Sequence, residues 1–379
     1  MRYPLLASLV LLSCALSAMA GDEPGACRVY VGTYTGGGCE GIYTFTFDTE
    51  TGAPGPVSLA AATENPSFLA LHPAKPVLYA CGEMAKGGTV SAFRRASAAG
   101  RLTRINDVSS EGAGPCHVAV SPSGRHVAVA NYRGGSMALF PVAEGGGLKP
   151  ACATRAYTGQ GAHPKRQKAP HAHAVNFGPE GNTLYVTDLG TDRIHIYRYD
   201  AEPGTLEEAE PPAAHLAPGA GPRHLALHPS GQYAYVVNEL GNTVTAFTRN
   251  GAGGLTSIQT IGTLPDTFTG DNTTAEIVLH PNGRFLYASN RGHDSIVAYA
   301  IAADTGRLRL VGHAPTGGKT PRNFNIDPAG RFLLAANQDS GSIAVFRINS
   351  DAGTLKPTGV SILVPRPVCV VFAGGTKGE

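Results

Sequence analysis

The sequence predicts an all-β fold, a ring of seven four-stranded antiparallel blades closed by strands from both chain ends. Three observations lead there. A short phrase returns about every 50 residues. Each return is flanked by runs that alternate apolar and polar residues. Past the N-terminal leader, no segment keeps a helical period. The phrase reads SPSGRHVAVAN at 121–131, GPEGNTLYVTD at 178–188, HPSGQYAYVVN at 228–238, HPNGRFLYASN at 280–290 and DPAGRFLLAAN at 327–337. A degraded copy, HPAKPVLYACG, stands at 72–82. A repeat of this length built from strand-like pieces describes a β-propeller, whose function sits at one mouth of a central channel.

Each unit opens with a short alternating run, such as Arg223-His224-Leu225-Ala226-Leu227. The Pro-x-Gly element is a tight turn, Pro presetting φ and Gly supplying the unusual backbone. A second run rich in Val, Tyr and Ala ends on Asn131, Asp188, Asn238, Asn290 or Asn337. A third strand follows, as in Val244–Phe247 and Ile343–Phe346, and Gly204-Thr205-Leu206, Gly254-Leu255 or Gly353-Thr354-Leu355 starts the fourth. Six units leave fragments at the ends. Val368–Phe372 reads as a lone first strand, and Val29–Thr33 and Ile42–Phe45 as second and third strands without a first. The two ends therefore share a seventh blade, which removes the open edge.

The 379 residues include 49 Gly, 28 Pro and no Trp, a composition suited to many turns. Residues 21–379 form a single domain. A net charge of +2 offers no field for nucleic acid or a membrane surface. At the N-terminus, Arg2, the apolar run Leu5–Leu16 and Ala18-Met19-Ala20 read as a secretory signal peptide over 1–20. The run is too short to span a bilayer, so the mature chain is expected in a bacterial periplasm or outside the cell. Leu11-Leu12-Ser13-Cys14 is the weaker, lipoprotein reading of the same leader. Of the remaining cysteines, Cys27 and Cys39 flank a Gly-rich hairpin and are the candidate disulfide.

Two motifs tempt and fail. GGKT at 317–320 resembles a phosphate loop, but no helix follows and Pro321 begins the next repeat; it is an inter-blade connector. GGCEG at 37–41 mimics a nucleophile elbow, yet lies in a hairpin. His171 and His173 have metal-ligand spacing, but no third ligand is evident, so no metal and no cofactor is assigned.

Strand direction then selects the working face. The Pro-x-Gly turns mark one face of the disc, so first-strand starts and second-strand ends meet at the other. His173, Arg223, Glu276, Arg322 and Asn323 stand at the starts; Glu239 and Arg291 follow the repeated Asn at the ends. The bulky connectors 149–170 and 256–274 fall on this face, and the first carries Lys165, Arg166 and Lys168. The repeated Asn is expected to cap local turns. Arg223, Glu239 and Arg291 are blade-specific charges at a mouth, costly unless paired or used.

These residues resemble the seven-bladed propeller lactonase family, which includes one type of 6-phosphogluconolactonase and the fungal carboxy-cis,cis-muconate cyclases. The family-like strings are YVGTYT at 30–35, PHAH at 170–173, VTDLGTDR at 186–193, GPRH at 221–224, VNEL at 237–240, TAE at 274–276, SNRGHD at 289–294 and PRNF at 321–324. The site of the cyclase branch uses a His, two Arg and a Glu, which the resemblance maps to His173 (or His171), Arg223, Arg291 and Glu239. Cys81-Gly82-Glu83 departs from the Val-Asn-Glu common in the first blade, so Glu83 is given no role.

The resemblance implies a monomeric lactonase acting on a small-molecule sugar lactone, anionic or polyhydroxylated. Glu239 or His173 would be the general base. Arg223 and Arg291 would hold an anionic group or stabilise the oxyanion. His171, Glu276, Arg322, Asn323 and Arg166 would bind substrate. Export favours an unphosphorylated aldonolactone over 6-phosphogluconolactone, which belongs to a cytoplasmic pathway, although the resemblance itself points to a 6-phosphogluconolactonase-like enzyme. A cycloisomerase and a non-catalytic ligand- or protein-binding propeller are the alternatives; the latter requires mouth charges that only pair with one another and no pocket.

Overall fold

The computed structural model describes residues 25–95 and 100–374. They form seven four-stranded antiparallel sheets, with no helix among the described residues. In blades 1 to 6 the innermost strands are Pro66–Leu71, Pro115–Val120, Ala172–Phe177, Pro222–Leu227, Thr273–Leu279 and Pro321–Ile326. The strands beside them are Val77–Gly82, His126–Asn131, Thr183–Asp188, Tyr233–Asn238, Phe285–Arg291 and Phe332–Asn337. Blade 7 joins the chain ends, in the order Pro367–Ala373, Ala26–Thr33, Gly41–Asp48, Ser58–Ala62. Pro367–Ala373 touches the innermost strands of both blade 6 and blade 1, so the ring closes. The expected seven-bladed architecture and its shared last blade are both present.

The second strand of a blade is covered on both faces by the blades beside it. Tyr233–Asn238 is buried at every position, and its continuous apolar run follows from that. The core is therefore a series of inter-blade layers. Tyr235, Val237, Val244 and Ala246 of blade 4, for example, pack on Ile277, Leu286, Ala288, Val297 and Tyr299 of blade 5.

Recurrent polar contacts lock each blade to the next. The hydroxyls of Tyr79, Tyr185, Tyr235 and Tyr287 donate to the carbonyls of Gly146, Gly253, Gly306 and Gly353 at 2.9, 2.7, 2.9 and 3.0 Å. Each acceptor lies in the turn between third and fourth strands of the following blade. Glycine is required there by space as well as by backbone. Gly306 has φ +67°, and a Cβ on it would sit 2.3 Å from the Tyr233 ring of the preceding blade. On the Pro-x-Gly face, His72, His228 and His280 place Nε2 within 3.1, 2.9 and 2.8 Å of the carbonyls of Gly124, Gly283 and Gly330. Their Nδ1 atoms accept backbone N–H groups of the same turn. The proton therefore sits on Nε2, which donates to the next blade.

At the start of each innermost strand in blades 1 to 6, the register slips by a β-bulge. In blades 2, 3, 4 and 6 the residues passed over are Cys116, His173, Arg223 and Arg322. In blade 5 they are Ala275 and Glu276. A bulge re-aims side chains out of the ladder, here toward the channel.

The expected Cys27–Cys39 disulfide is corrected: the two cysteines are not bonded to one another. Cys27 lies at the start of Ala26–Thr33 and donates to the Phe47 carbonyl, whereas Cys39 bonds Thr33 Oγ1 at the strand's other end. Six residues of extended strand, roughly 20 Å, separate the two ends. The signal peptide predicted over 1–20 lies outside the described residues. No helix among the described residues is long and apolar enough to cross a membrane.

Candidate active site

A cavity of about 510 Å³ opens at the mouth predicted from strand direction. Two rings of side chains build its wall. One comes from the bulges: Cys116, His173 and Arg322. The other comes from residues just past the second-strand Asn or its equivalent, Glu83, Tyr132, Glu239 and Arg291. Arg133, Arg166, His171 and Thr273 complete it. Four arginines face two carboxylates across this wall, leaving it two charges positive.

Glu239, 3% exposed, is the hub. Its Oε2 accepts from Arg223 Nε and Arg291 Nη2, both at 3.0 Å, and its Oε1 accepts from Arg166 Nη2 at 2.5 Å. Burial pushes its pKa up, but Arg291, Arg223 and Arg166 together prevail and hold it at about 2. Glu239 is therefore a permanent anion at neutral pH. Burial lowers Arg291 to about 10 against the pull of Glu239, which leaves it charged. Arg291 Nη2 also donates to the Thr274 carbonyl, while its buried Nε has no partner among the described residues.

Arg166 reaches this cluster because its loop is pinned from behind. Gln167, 1% exposed, donates through Nε2 to the Leu189 carbonyl and to Asp192, and its Oε1 receives the His163 N–H. Arg166 then turns inward and also bonds the Tyr132 hydroxyl at 3.0 Å. Lys165 and Lys168 are exposed.

The two histidines differ. His173 is buried, its Nε2 3.9 Å from Glu239 Oε2. Burial, helped by the Arg223 charge, keeps its pKa well below the ordinary value, so it is neutral. His171 is half-buried. Its ring stacks on Tyr132 at 4.4 Å and 9°, and its backbone N–H is held by Asp188 at 2.7 Å. Its Nδ1 lies 2.9 Å from the Tyr132 carbonyl. A carbonyl only accepts, so Nδ1 carries a proton, and Nε2 has no protein partner among the described residues.

Arg322 is half-buried, with no carboxylate in ion-pair range among the described residues. It donates to the Tyr34 hydroxyl at 2.9 Å and lies over that ring, and Tyr34 donates to Glu83. Glu276 and Asn323, expected to touch substrate, stand one layer deeper and do not line the mouth cavity. Arg223, 2% exposed and expected to be catalytic, also stands in the deeper layer rather than on the mouth wall, and is tied to the mouth by its bond to Glu239. The repeated Asn side chains are buried and tie connectors in place, Asn131 to Ser110 and Asn290 to Thr263. Sequence reasoning missed Cys116, Tyr132 and Glu83. Aligning the repeats on Pro115, Pro222 and Pro321 would have found Cys116 as the counterpart of Arg223 and Arg322. Aligning them on the second-strand ends would have found Tyr132 and Glu83 as counterparts of Glu239 and Arg291. No group of three His, Cys, Asp or Glu suited to a metal occurs among the described residues.

Comparison with known proteins agrees with this fold. A family model described as "Lactonase, 7-bladed beta-propeller" matches residues 28–372. A 6-phosphogluconolactonase of Bacillus subtilis is 41% identical over 291 residues, 76% of this chain and 82% of the relative. One from Formosa agariphila is 36% identical over 288 residues, 74% and 80% of the two chains. Among solved structures, the periplasmic gluconolactonase of Pseudomonas aeruginosa superposes with a TM-score of 0.87 at 34% identity, covering 93% of this chain and all of that one.

Proposed function

The chain belongs to the seven-bladed β-propeller lactonase family, and we propose that it hydrolyses a sugar lactone that is anionic or polyhydroxylated. One observation carries the reading: an open cavity with a net positive wall that also presents a histidine of fixed tautomer. The mouth charges do pair through Glu239, as a binding-only propeller would require, but a cavity of substrate size stands open over them.

Water beside His171 Nε2 attacks the lactone carbonyl carbon and gives that nitrogen its proton. The carbonyl oxygen gains charge and is met by Arg223 and Arg291, where buried guanidiniums act most strongly. The ring C–O bond then breaks, and its oxygen takes the proton back from His171. The product is the open hydroxy acid. The fixed tautomer moves the base from His173 and Glu239 to His171, since a carboxylate held near pKa 2 is a poor proton acceptor at neutral pH. Glu239 instead keeps three arginines aimed at one point. Arg322, on the cavity wall and held from behind by the Tyr34 hydroxyl, suits the substrate's anionic group or hydroxyls. The leader over 1–20 would deliver the enzyme to the periplasm, where an unphosphorylated aldonolactone fits best.

Acid release in a pH-stat tests this, with glucono-δ-lactone, 6-phosphogluconolactone and a muconolactone set against spontaneous hydrolysis. Enzyme-dependent release on a sugar lactone is expected. Release on none of them refutes the reading.

A further inference from the structure

Beneath the mouth cavity a polar chain lines a narrower pocket of the channel and not the mouth wall itself. Glu276 Oε1 accepts Nδ1–H of His224 at 2.8 Å and the N–H of Ile277 at 3.0 Å. Its Oε2 accepts the Asn323 amide nitrogen. The Asn323 orientation is settled by Oδ1, which receives the Val370 N–H at 2.8 Å. On the other side, His224 Nε2 lies 3.0 Å from Arg223 Nη1. A guanidinium only donates, so His224 Nε2 is bare and Nδ1 holds the proton. Every bond in the chain points toward Glu276: Arg223 donates to His224, His224 to Glu276, and Asn323 to Glu276 from the other side.

The outcome falls on Arg223. Nε is taken by Glu239, and Nη1 by His224 and the Ala275 carbonyl at 2.9 Å. Only Nη2 is left without a hydrogen bond to protein among the described residues. We propose that Glu276 is a positioning residue which, through the His224 tautomer, locks Arg223 so that Nη2 alone is offered to the reacting oxygen. The proposal rests on the lactonase reading for its catalytic part. Glu276 acts without touching substrate, as a misplaced oxyanion donor lowers rate more than binding.

The chain predicts its own repair. In Glu276→Gln the new amide N–H₂ meets either Asn323 or His224, donor against donor. In the double variant E276Q/N323D the Gln amide donates to the new carboxylate, whose other oxygen still takes the Val370 N–H. On the lactone that wild type hydrolyses, E276Q is expected to lose about 10²-fold in kcat with KM little changed, the scale of a donor displaced by about 1 Å. E276Q/N323D should recover most of it. Wild-type kcat in E276Q, or a loss the double variant does not restore, overturns the proposal. Imidazole ¹⁵N shifts of His224 need no substrate and no variant that folds poorly. Wild type must show protonated Nδ1 and bare Nε2; the reverse tautomer also overturns it. An inactive wild type with the expected tautomer would refute the lactonase reading and leave the chain standing.

Discussion

Glu239→Gln preserves shape and removes one charge from the centre of three arginines. Despite burial, Arg291, Arg223 and Arg166 hold this carboxyl from an ordinary 4.5 down to about 2. At about 1.4 kcal/mol per tenfold, that depression corresponds to about 3 kcal/mol of folding free energy. The sign follows from a lowered folded-state pKa. The contribution is complete above the unfolded value near 4.5 and is lost as pH falls toward about 2. In the variant it is absent at every pH, and the guanidiniums keep their burial cost without an anion, for a total of about 3–5 kcal/mol. Urea unfolding of both proteins at a series of pH values between 7 and 2.5 measures this. The expected gap is about 3–5 kcal/mol at neutral pH, narrowing steadily below pH 4.5. At the acid end wild-type Glu239 is itself becoming neutral. A gap that does not change with pH, or no gap at pH 7, refutes the account of Glu239 as a clamped anion.

Other consequences are as direct. His171→Ala should lower kcat on a sugar lactone by about 10²–10⁴-fold with the fold intact by circular dichroism; undiminished turnover removes it as base. Arg322→Met should raise KM for an anionic lactone about tenfold or more, the cost of a lost charged hydrogen bond, while barely moving KM for a neutral one. Tyr235→Phe leaves the Gly306 carbonyl unpaired in a buried seam and should cost about 1–3 kcal/mol in chemical denaturation, with lactone hydrolysis unchanged. Truncation before Val368 removes the innermost strand of blade 7 and should abolish the cooperative unfolding transition; a fully stable product contradicts the closure.

The ring was legible because its strands announce themselves twice, by alternation and by the Pro-x-Gly turn between them. Even the shared blade followed from leftover strands at 29–45 and 368–372. The mouth was legible too, since strand direction alone puts Arg223, Glu239 and Arg291 at one end. Chemistry within the mouth was not. A bulge that inserts Cys116 or His173 adds no letter that alternation can detect. The difference between His171 and His173 rests on one carbonyl, that of Tyr132, from a neighbouring blade. Glu276 reads like any mouth carboxylate until the layer beneath the floor is seen. Arg166 was assigned to substrate, but nothing in 165–168 says that Gln167 is the buried anchor that turns it inward while Lys165 and Lys168 stay exposed. Cys27 and Cys39 looked close because a hairpin was inferred between them without the length of strand that separates its ends.

The bulges carry an evolutionary consequence. A side chain passed over by the ladder has no cross-strand partner whose fit depends on it. Replacing Cys116, His173, Arg223 or Arg322 therefore changes what faces the channel and leaves strand register alone. The propeller behaves as a turret whose sockets can be reloaded without re-registering a strand, within the limits set by the bonds that tie Arg223 to Glu239 and His224 and Cys116 to His173. New substrates can be reached by reloading a few sockets, a change of chemistry with little demand on the fold.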